Sequence, residues 1–278
     1  MKIVRHRLIQ ADGSAVPFRR SPNQSSGLDP SYVVMHYTAG ASAESSIDWL
    51  LDPAARASAH VLVGRDGGVT QLVAFDRQAW HAGRSLWQGL EGLNAHSFGI
   101  ELDNGGPLER RGDGRWYTPF GASVEDDEVI EAPHRDGGPS RGWHTYSAVQ
   151  LLAAAEIANA LVRHYALDDV LGHDAIAPGR KLDPGPAFPM GTFRARVLGR
   201  GDGSEAPQPL LQTTTSLNIR TGPGTEWDKL PASPLPAGSK LELLAEDREW
   251  RQVLVLDAID GEMDIEGWVY GRYVLPIA

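Results

Sequence analysis

Over the first two-thirds of the chain, short apolar β-branched runs alternate with longer amphipathic stretches, the pattern of an α/β domain. YVVMHY (32–37) reads as a buried strand that delivers a polar ring at its end, and FGIEL (98–102) reads as another strand. HVLVG (60–64) and VTQLV (69–73) flank RDGG and predict a hairpin. Ser42 to Leu51 predicts a short helix. The longest helix starts at the capping-box pattern Ser147-x-x-Gln150 and carries Leu151, Ala155, Ala158, Val162 and Tyr165 on one face. Together these predict a mixed central sheet flanked by helices.

The pattern lapses after Val197 into LGRGDGSEAPQPL, which predicts a linker over 199–208 between a first domain (1–198) and a second (209–278). In the second, SLNIR, KLELLAE, RQVLVL and GWVYGRYVLPI are separated by TGPG, LPAGS and an acidic loop, with no helical period. That predicts a small all-β barrel. Residues 104–144 interrupt the first domain with a Gly/Asp/Arg-rich stretch containing Trp116, Tyr117, Phe120 and Trp143. Its length predicts a lid, a groove wall or a disordered excursion, the groove wall being preferred.

Composition narrows the chemistry. A chain of 278 residues suits two domains, and 41% hydrophobic residues with no run long enough to span a bilayer describe a soluble protein without a membrane span. The net charge of -10 argues against a nucleic-acid partner. With no cysteine, disulfides and thiolate ligands are excluded, so a metal must be held by His, Asp or Glu. The N-terminus MKIVRHRLIQADGSAVPF has no apolar segment or cleavage site of a secretory signal, so export would need another route. Action outside the cytoplasm, which is preferred, and action within it both stay open.

Three regions carry candidate chemistry. His36 ends the run YVVM, where a strand hands a ring to a turn. In GHDAIAPGRKLDPGPAF, Pro178, Pro184 and Pro186 with Gly179 and Gly185 make a stiff loop that carries His173, Lys181 and Asp183. Two imidazoles and a carboxylate make a three-ligand Zn²⁺ site with a free position for water. Asp183 as a turn cap and His173 as a helix cap are the structural alternative, and spacing alone leaves the two level. Lys181, two residues from Asp183, is placed to stabilise an oxyanion or is an ordinary solvated lysine. Glu101 alternates with Phe98, Ile100 and Leu102, and either faces solvent or faces the pocket as a general base.

VMHYTAG, SAHVLVGRDGGVTQLV, AWHAGRSLWQG, NAHSFGIELDNGG and GHDAIAPGRKLDPGPAF, in that order, resemble the motifs of the zinc-dependent N-acetylmuramoyl-L-alanine amidases of type 2, the AmpD-like family, over roughly residues 30–190. The resemblance implies hydrolysis of the amide between N-acetylmuramic acid and L-alanine of a peptidoglycan or muropeptide substrate. It further implies His36, His173 and Asp183 as zinc ligands, Glu101 and Lys181 as the catalytic pair, and His60 and His81 as pocket wall or support behind the ligands. The second domain resembles the bacterial SH3 (SH3b) modules, which implies a hold on cell-wall peptide. Trp227, Trp250, Trp268, Tyr270 and Tyr273 would then line a groove, or else form the core. With acids outnumbering bases 12 to 6 over 205–278, polyanions are poor ligands for it. A peptidoglycan binder without activity and a zinc peptidase cutting within the stem peptide are the alternative functions.

Overall fold

A computed structural model of the chain describes residues 1–198, 210–262 and 265–277. The chain divides into two compact units, Met1–Phe188 with Phe193–Leu198, and Pro189–Thr192 with Gly199–Ala278. The stretch expected to be a linker, 199–208, lies outside the described residues.

After a short N-terminal hairpin (Lys2–Val4 with Arg7–Ile9), the first unit is built on strands β1 (Tyr32–Tyr37), β2 (Val61–Val63), β3 (Val69–Gln71) and β4 (Ser97–Leu102). The hairpin of β2 and β3 turns at Gly67, whose φ of +80° suits glycine, and Asp66 Oδ1 accepts the Gly68 N–H. Helix α1 (Ala43–Leu51) is capped by Ser42, and its Ile47 and Leu50 pack with Leu62 and Leu72. Leu62, Glu101 and His36 are register neighbours on β2, β4 and β1, so they share the face that α1 helps cover. The opposite face takes the long helix.

That face needs a large apolar stripe, and the next segments supply it after a detour through an inserted sheet. Strands β5 (Pro107–Arg110), β6 (Trp116–Tyr117), β7 (Ser123–Val124), β8 (Val129–Ala132) and β9 (Arg141–His144) form that antiparallel sheet, ordered β7-β6-β5-β9-β8. It encloses Leu108, Trp116 and Val124, so residues 104–144 are a folded layer with a small core of their own. The long helix α2 (Ala148–Tyr165) then packs on β1, β2 and β4, burying Leu151, Ala155, Ile157, Ala158 and Leu161. Ser147 accepts the Gln150 N–H as expected of a cap. The Gln150 side chain turns inward, donating from Nε2 to the carbonyls of Val63 and Asp103, both at 3.0 Å.

GHDAIAPG follows a short strand. Chain 169–172 forms β10 (Asp169–Gly172), and the main sheet is ordered β10-β1-β4-β2-β3, with β10, β1, β4 and β2 parallel and β3 antiparallel. Short α3 (His173–Ile176) and α4 (Met190–Leu198) complete the described part of this region. Among the described residues no helix is long and apolar enough to cross a membrane.

The C-terminal unit holds β11 (Leu210–Thr213), β12 (Lys240–Asp247), β13 (Trp250–Val255), β14 (Glu266–Tyr270) and β15 (Val274–Pro276), an antiparallel sheet ordered β14-β13-β12-β11-β15. SLNIR, expected as a strand, makes only isolated bridges, Leu217 to Leu235 and Arg220 to both Lys229 and Trp268. It changes partner every few residues, so no continuous ladder forms. The core cluster here is aliphatic, from Leu211, Ile219, Leu235, Leu241, Val253 and Val269 among others. The aromatics lie outside it: Trp227 is 48% exposed and Tyr273 41%, while Trp250 stands edge-on to Tyr270 at 5.5 Å.

Replacing Gln150 with Leu should lower the unfolding free energy of the first unit by about 1–3 kcal/mol, the cost of leaving a buried carbonyl without its donor. Denaturant unfolding measures this; an unchanged midpoint would mean that the inward amide adds nothing.

Candidate metal centre

Parallel strands that end at one edge of a sheet bring distant residues level with each other, and ligands characteristically gather at that edge. His36 is the penultimate residue of β1 and sits beside Glu101 of β4 in register. Gly172, the last residue of β10, pairs with Met35, so the next residue, His173, comes level with His36. Asp183 is returned to the same edge by the backbone: the Asp174 N–H donates to the Asp183 carbonyl at 2.7 Å.

The side chains converge. His36 Nδ1 lies 2.9 Å from His173 Nδ1 and 2.9 Å from Asp183 Oδ2, and His173 Nδ1 lies 2.8 Å from the same oxygen. All three residues are buried, and no other group of three or more His, Asp or Glu with ligand atoms this close occurs among the described residues. Burial, with the charge of His173 second, lowers the His36 pKa to about 4, so the ring is neutral near pH 7. Burial by itself would raise the Asp183 pKa, but the two facing imidazoles outweigh it and hold the carboxyl well below its ordinary range. A neutral imidazole and an anionic carboxylate, in a mixed nitrogen and oxygen set without sulfur, fit a divalent metal such as zinc.

Glu101 and Lys181 line the same cavity of about 590 Å³, together with His36, Trp49, Trp80 and Asp183. Glu101 therefore faces the pocket, which settles the choice that alternation along β4 left open. Its Oε2 is buried and has no hydrogen-bond partner among the described residues. Burial, reinforced by Asp183 and opposed by Lys181, raises its pKa to about 8.

The loop is held from several sides. Tyr146 Oη donates to the Pro184 carbonyl at 2.8 Å, the Gly179 N–H donates to Asp136 Oδ2 at 2.8 Å, and Arg180 Nη2 donates to the carbonyls of Ala82 and Arg84 at 2.8 and 2.7 Å. Two of these ties come from the chain around and inside the inserted sheet. No residue of 104–144 lines the cavity, so the groove-wall expectation gives way to a brace behind the ligand-bearing loop. The reason is that the insertion packs on its own core and meets the loop at Asp136 and at Trp143, against Gly185.

The two further motif histidines separate. His60 Nδ1 accepts the Gly99 N–H at 3.0 Å and its Nε2 donates to the Arg77 carbonyl at 3.0 Å, so it supports the strand and touches none of the three converging groups. His81 Nδ1 lies 3.0 Å from His36 Nε2. Burial, with neighbouring imidazoles second, lowers the His81 pKa well below the ordinary value.

A buried triad of two imidazoles and a carboxylate at a parallel-strand edge, beside an unpaired carboxyl, defines an α/β protein with a candidate metal centre. The family model for N-acetylmuramoyl-L-alanine amidase (Amidase_2) matches residues 26–186, and the chain belongs to that family. It is 35% identical over 144 residues to the 1,6-anhydro-N-acetylmuramyl-L-alanine amidase AmpD of Citrobacter freundii, covering 51% of this chain and 58% of that protein. It is 29% identical over 222 residues to the N-acetylmuramoyl-L-alanine amidase AmiD of Escherichia coli K12, covering 77% and 64%. The chain thus spans under two-thirds of the length of these relatives. Among solved structures, a selenomethionine derivative of AmpD aligns with a TM-score of 0.47 at 30% identity, over 68% of this chain and 98% of that one.

In metal-free protein the folded state keeps a proton on Glu101 that the unfolded chain loses between its ordinary pKa of 4.5 and about 8. Stability should therefore fall as pH rises through that window, and Glu101→Gln should remove the fall. The variant is expected to gain a few kcal/mol over the parent above pH 8 and nothing below pH 4.5, read by denaturant unfolding with a chelator present. Parallel stability profiles for the two proteins would show that Glu101 is not held in this way.

Proposed function

We propose that the chain is a zinc-dependent hydrolase that cleaves the amide between N-acetylmuramic acid and L-alanine of the peptidoglycan stem peptide, with residues 1–198 as the catalytic domain. The observation that carries this reading is the 2.8–2.9 Å convergence of His36 Nδ1, His173 Nδ1 and Asp183 Oδ2 beside the unpaired Glu101 Oε2. Family membership and the activities named for AmpD and AmiD give the bond and the substrate class.

His36, His173 and Asp183 hold the zinc. When bound, zinc supplies a Lewis acid that acidifies a water and polarises the scissile carbonyl. Glu101 accepts a proton from the attacking water at its free oxygen and passes it to the leaving amine of L-alanine. Its high pKa in the metal-free site suits a group that must both take up and release a proton near neutrality. A divalent cation at the triad would lower it. Lys181 brings its ammonium to the charge that develops on the carbonyl oxygen. The half-enclosed cavity, with Trp49 and Trp80 at its wall, limits water around the reacting amide.

For residues 209–278 we propose an SH3b-like module that holds cell-wall peptide. Its antiparallel strands and an aromatic set left outside an aliphatic core support that assignment.

Digestion of purified sacculi and of soluble anhydro-muropeptides, followed by mass spectrometry, should release intact stem peptides and free sugar chains. Glu101→Ala and Lys181→Ala should each slow turnover by roughly 10² to 10⁴, and His173→Ala should lose both zinc and activity. Stoichiometric zinc without cleavage of either substrate would make the chain a binder, and fragments cut inside the stem peptide would make it a peptidase.

A further inference from the structure

A histidine can serve as a metal ligand through Nδ1 only if its proton sits on Nε2, and in water the two tautomers interconvert freely. Near the triad, the hydrogen-bond partners leave no such choice. His81 Nε2 faces two atoms of Ser97, the carbonyl oxygen at 3.3 Å and Oγ at 3.4 Å. The Ser97 hydroxyl proton is already donated to the Leu93 carbonyl at 2.6 Å, so both Ser97 atoms can only accept. His81 Nε2 must therefore carry the proton, and His81 Nδ1 presents a lone pair to His36 Nε2. The proton between them belongs to His36 Nε2, and His36 Nδ1 is the atom turned to Asp183.

His173 is fixed by the next residue. Its Nε2 lies 3.2 Å from the Ala82 carbonyl and 3.5 Å from Arg180 Nη2. Both hydrogens of that Nη2 are spent on the carbonyls of Ala82 and Arg84. Nothing is left to donate to His173 Nε2, so it donates to Ala82, and His173 Nδ1 is likewise the atom turned to Asp183. One dipeptide thus addresses both rings, His81 by its side chain and Ala82 by its carbonyl. Asn94 holds that dipeptide in place, its Oδ1 accepting the N–H of His81 at 2.9 Å and of Ala82 at 2.6 Å. Gly99 leaves the space the ring needs: a Cβ there would lie 2.5 Å from His81 Cγ.

We infer that His81-Ala82, clamped by Asn94, is the device that keeps a proton on Nε2 of both His36 and His173, so that Nδ1 of each ring is the atom reserved for a metal. His81 and Asn94 are positioning residues in this account. It rests on the proposed metal site, but the tautomers themselves do not depend on that reading.

Long-range ¹H–¹⁵N spectra of the metal-free protein should show Nε2 of both His36 and His173 protonated. An Nε2 without its proton on either ring in the parent chain would overturn the inference, whatever the zinc result. In His81→Phe, which keeps a ring but loses the acceptor, His36 should populate both tautomers, and zinc affinity, read by competition with a chromophoric chelator, should fall about 10- to 100-fold. Asn94→Ala should weaken zinc similarly, Asn94→Asp should restore it by keeping an acceptor for both amides, and Gly99→Ala should mimic His81→Phe by displacing the ring. Folded His81→Phe and Asn94→Ala proteins that bind zinc as tightly as the parent, with His36 unchanged, would also overturn it. A parent with the expected tautomers but no zinc affinity would sink the metal reading alone.

Discussion

Three atoms rich in lone pairs, two imidazole nitrogens and a carboxylate oxygen, are held within 2.9 Å of each other in a buried site. Such a cluster is self-repelling unless a proton or a metal cation sits among its members, and burial weakens the screening that water would give. The fold answers with stiffness. Parallel strands fix His36 and His173 level with one another, a backbone hydrogen bond from Asp174 returns Asp183, and Tyr146, Asp136 and Arg180 pin the loop between them. The rest of the site reads as a consequence of keeping that cluster together.

Glu101 shows the same constraint from another direction. It shares a face with His36 through strand register, so it cannot leave the pocket without breaking the sheet. Its unpaired oxygen and raised pKa mark a group whose environment favours the neutral form until a positive charge arrives. Lys181 provides one such charge and the proposed metal the other.

Much of this was legible in the sequence. YVVMHY and FGIEL are apolar runs that put His36 and Glu101 on strands, though alternation left the side of Glu101 open. The Pro- and Gly-spaced loop grouped His173, Lys181 and Asp183, while spacing alone left ligand and cap readings level. What escaped has physical reasons. Strand β10 follows α2 with no glycine to signal the helix end, because Ala166 itself adopts the left-handed conformation at φ 53°. The insertion is woven from strands of two to four residues, too short to show a period of two. Asn94 and the Ala82 carbonyl act through contacts among segments distant in sequence, which no local pattern encodes, although both lie inside motifs that were visible. In the C-terminal unit the acidic, aromatic text left core and surface equally plausible, and the aliphatic cluster around Ile219 and Val269 assigns the rings to the outside.

X-ray absorption at the zinc edge, on protein loaded with one equivalent of the metal, tests the central claim most directly. The account predicts a first shell of nitrogen and oxygen at about 2.0–2.2 Å, with outer-shell scattering from two imidazole rings. An all-oxygen, six-coordinate shell without imidazole scattering would contradict it, because the convergence of residues 36, 173 and 183 would then hold no metal.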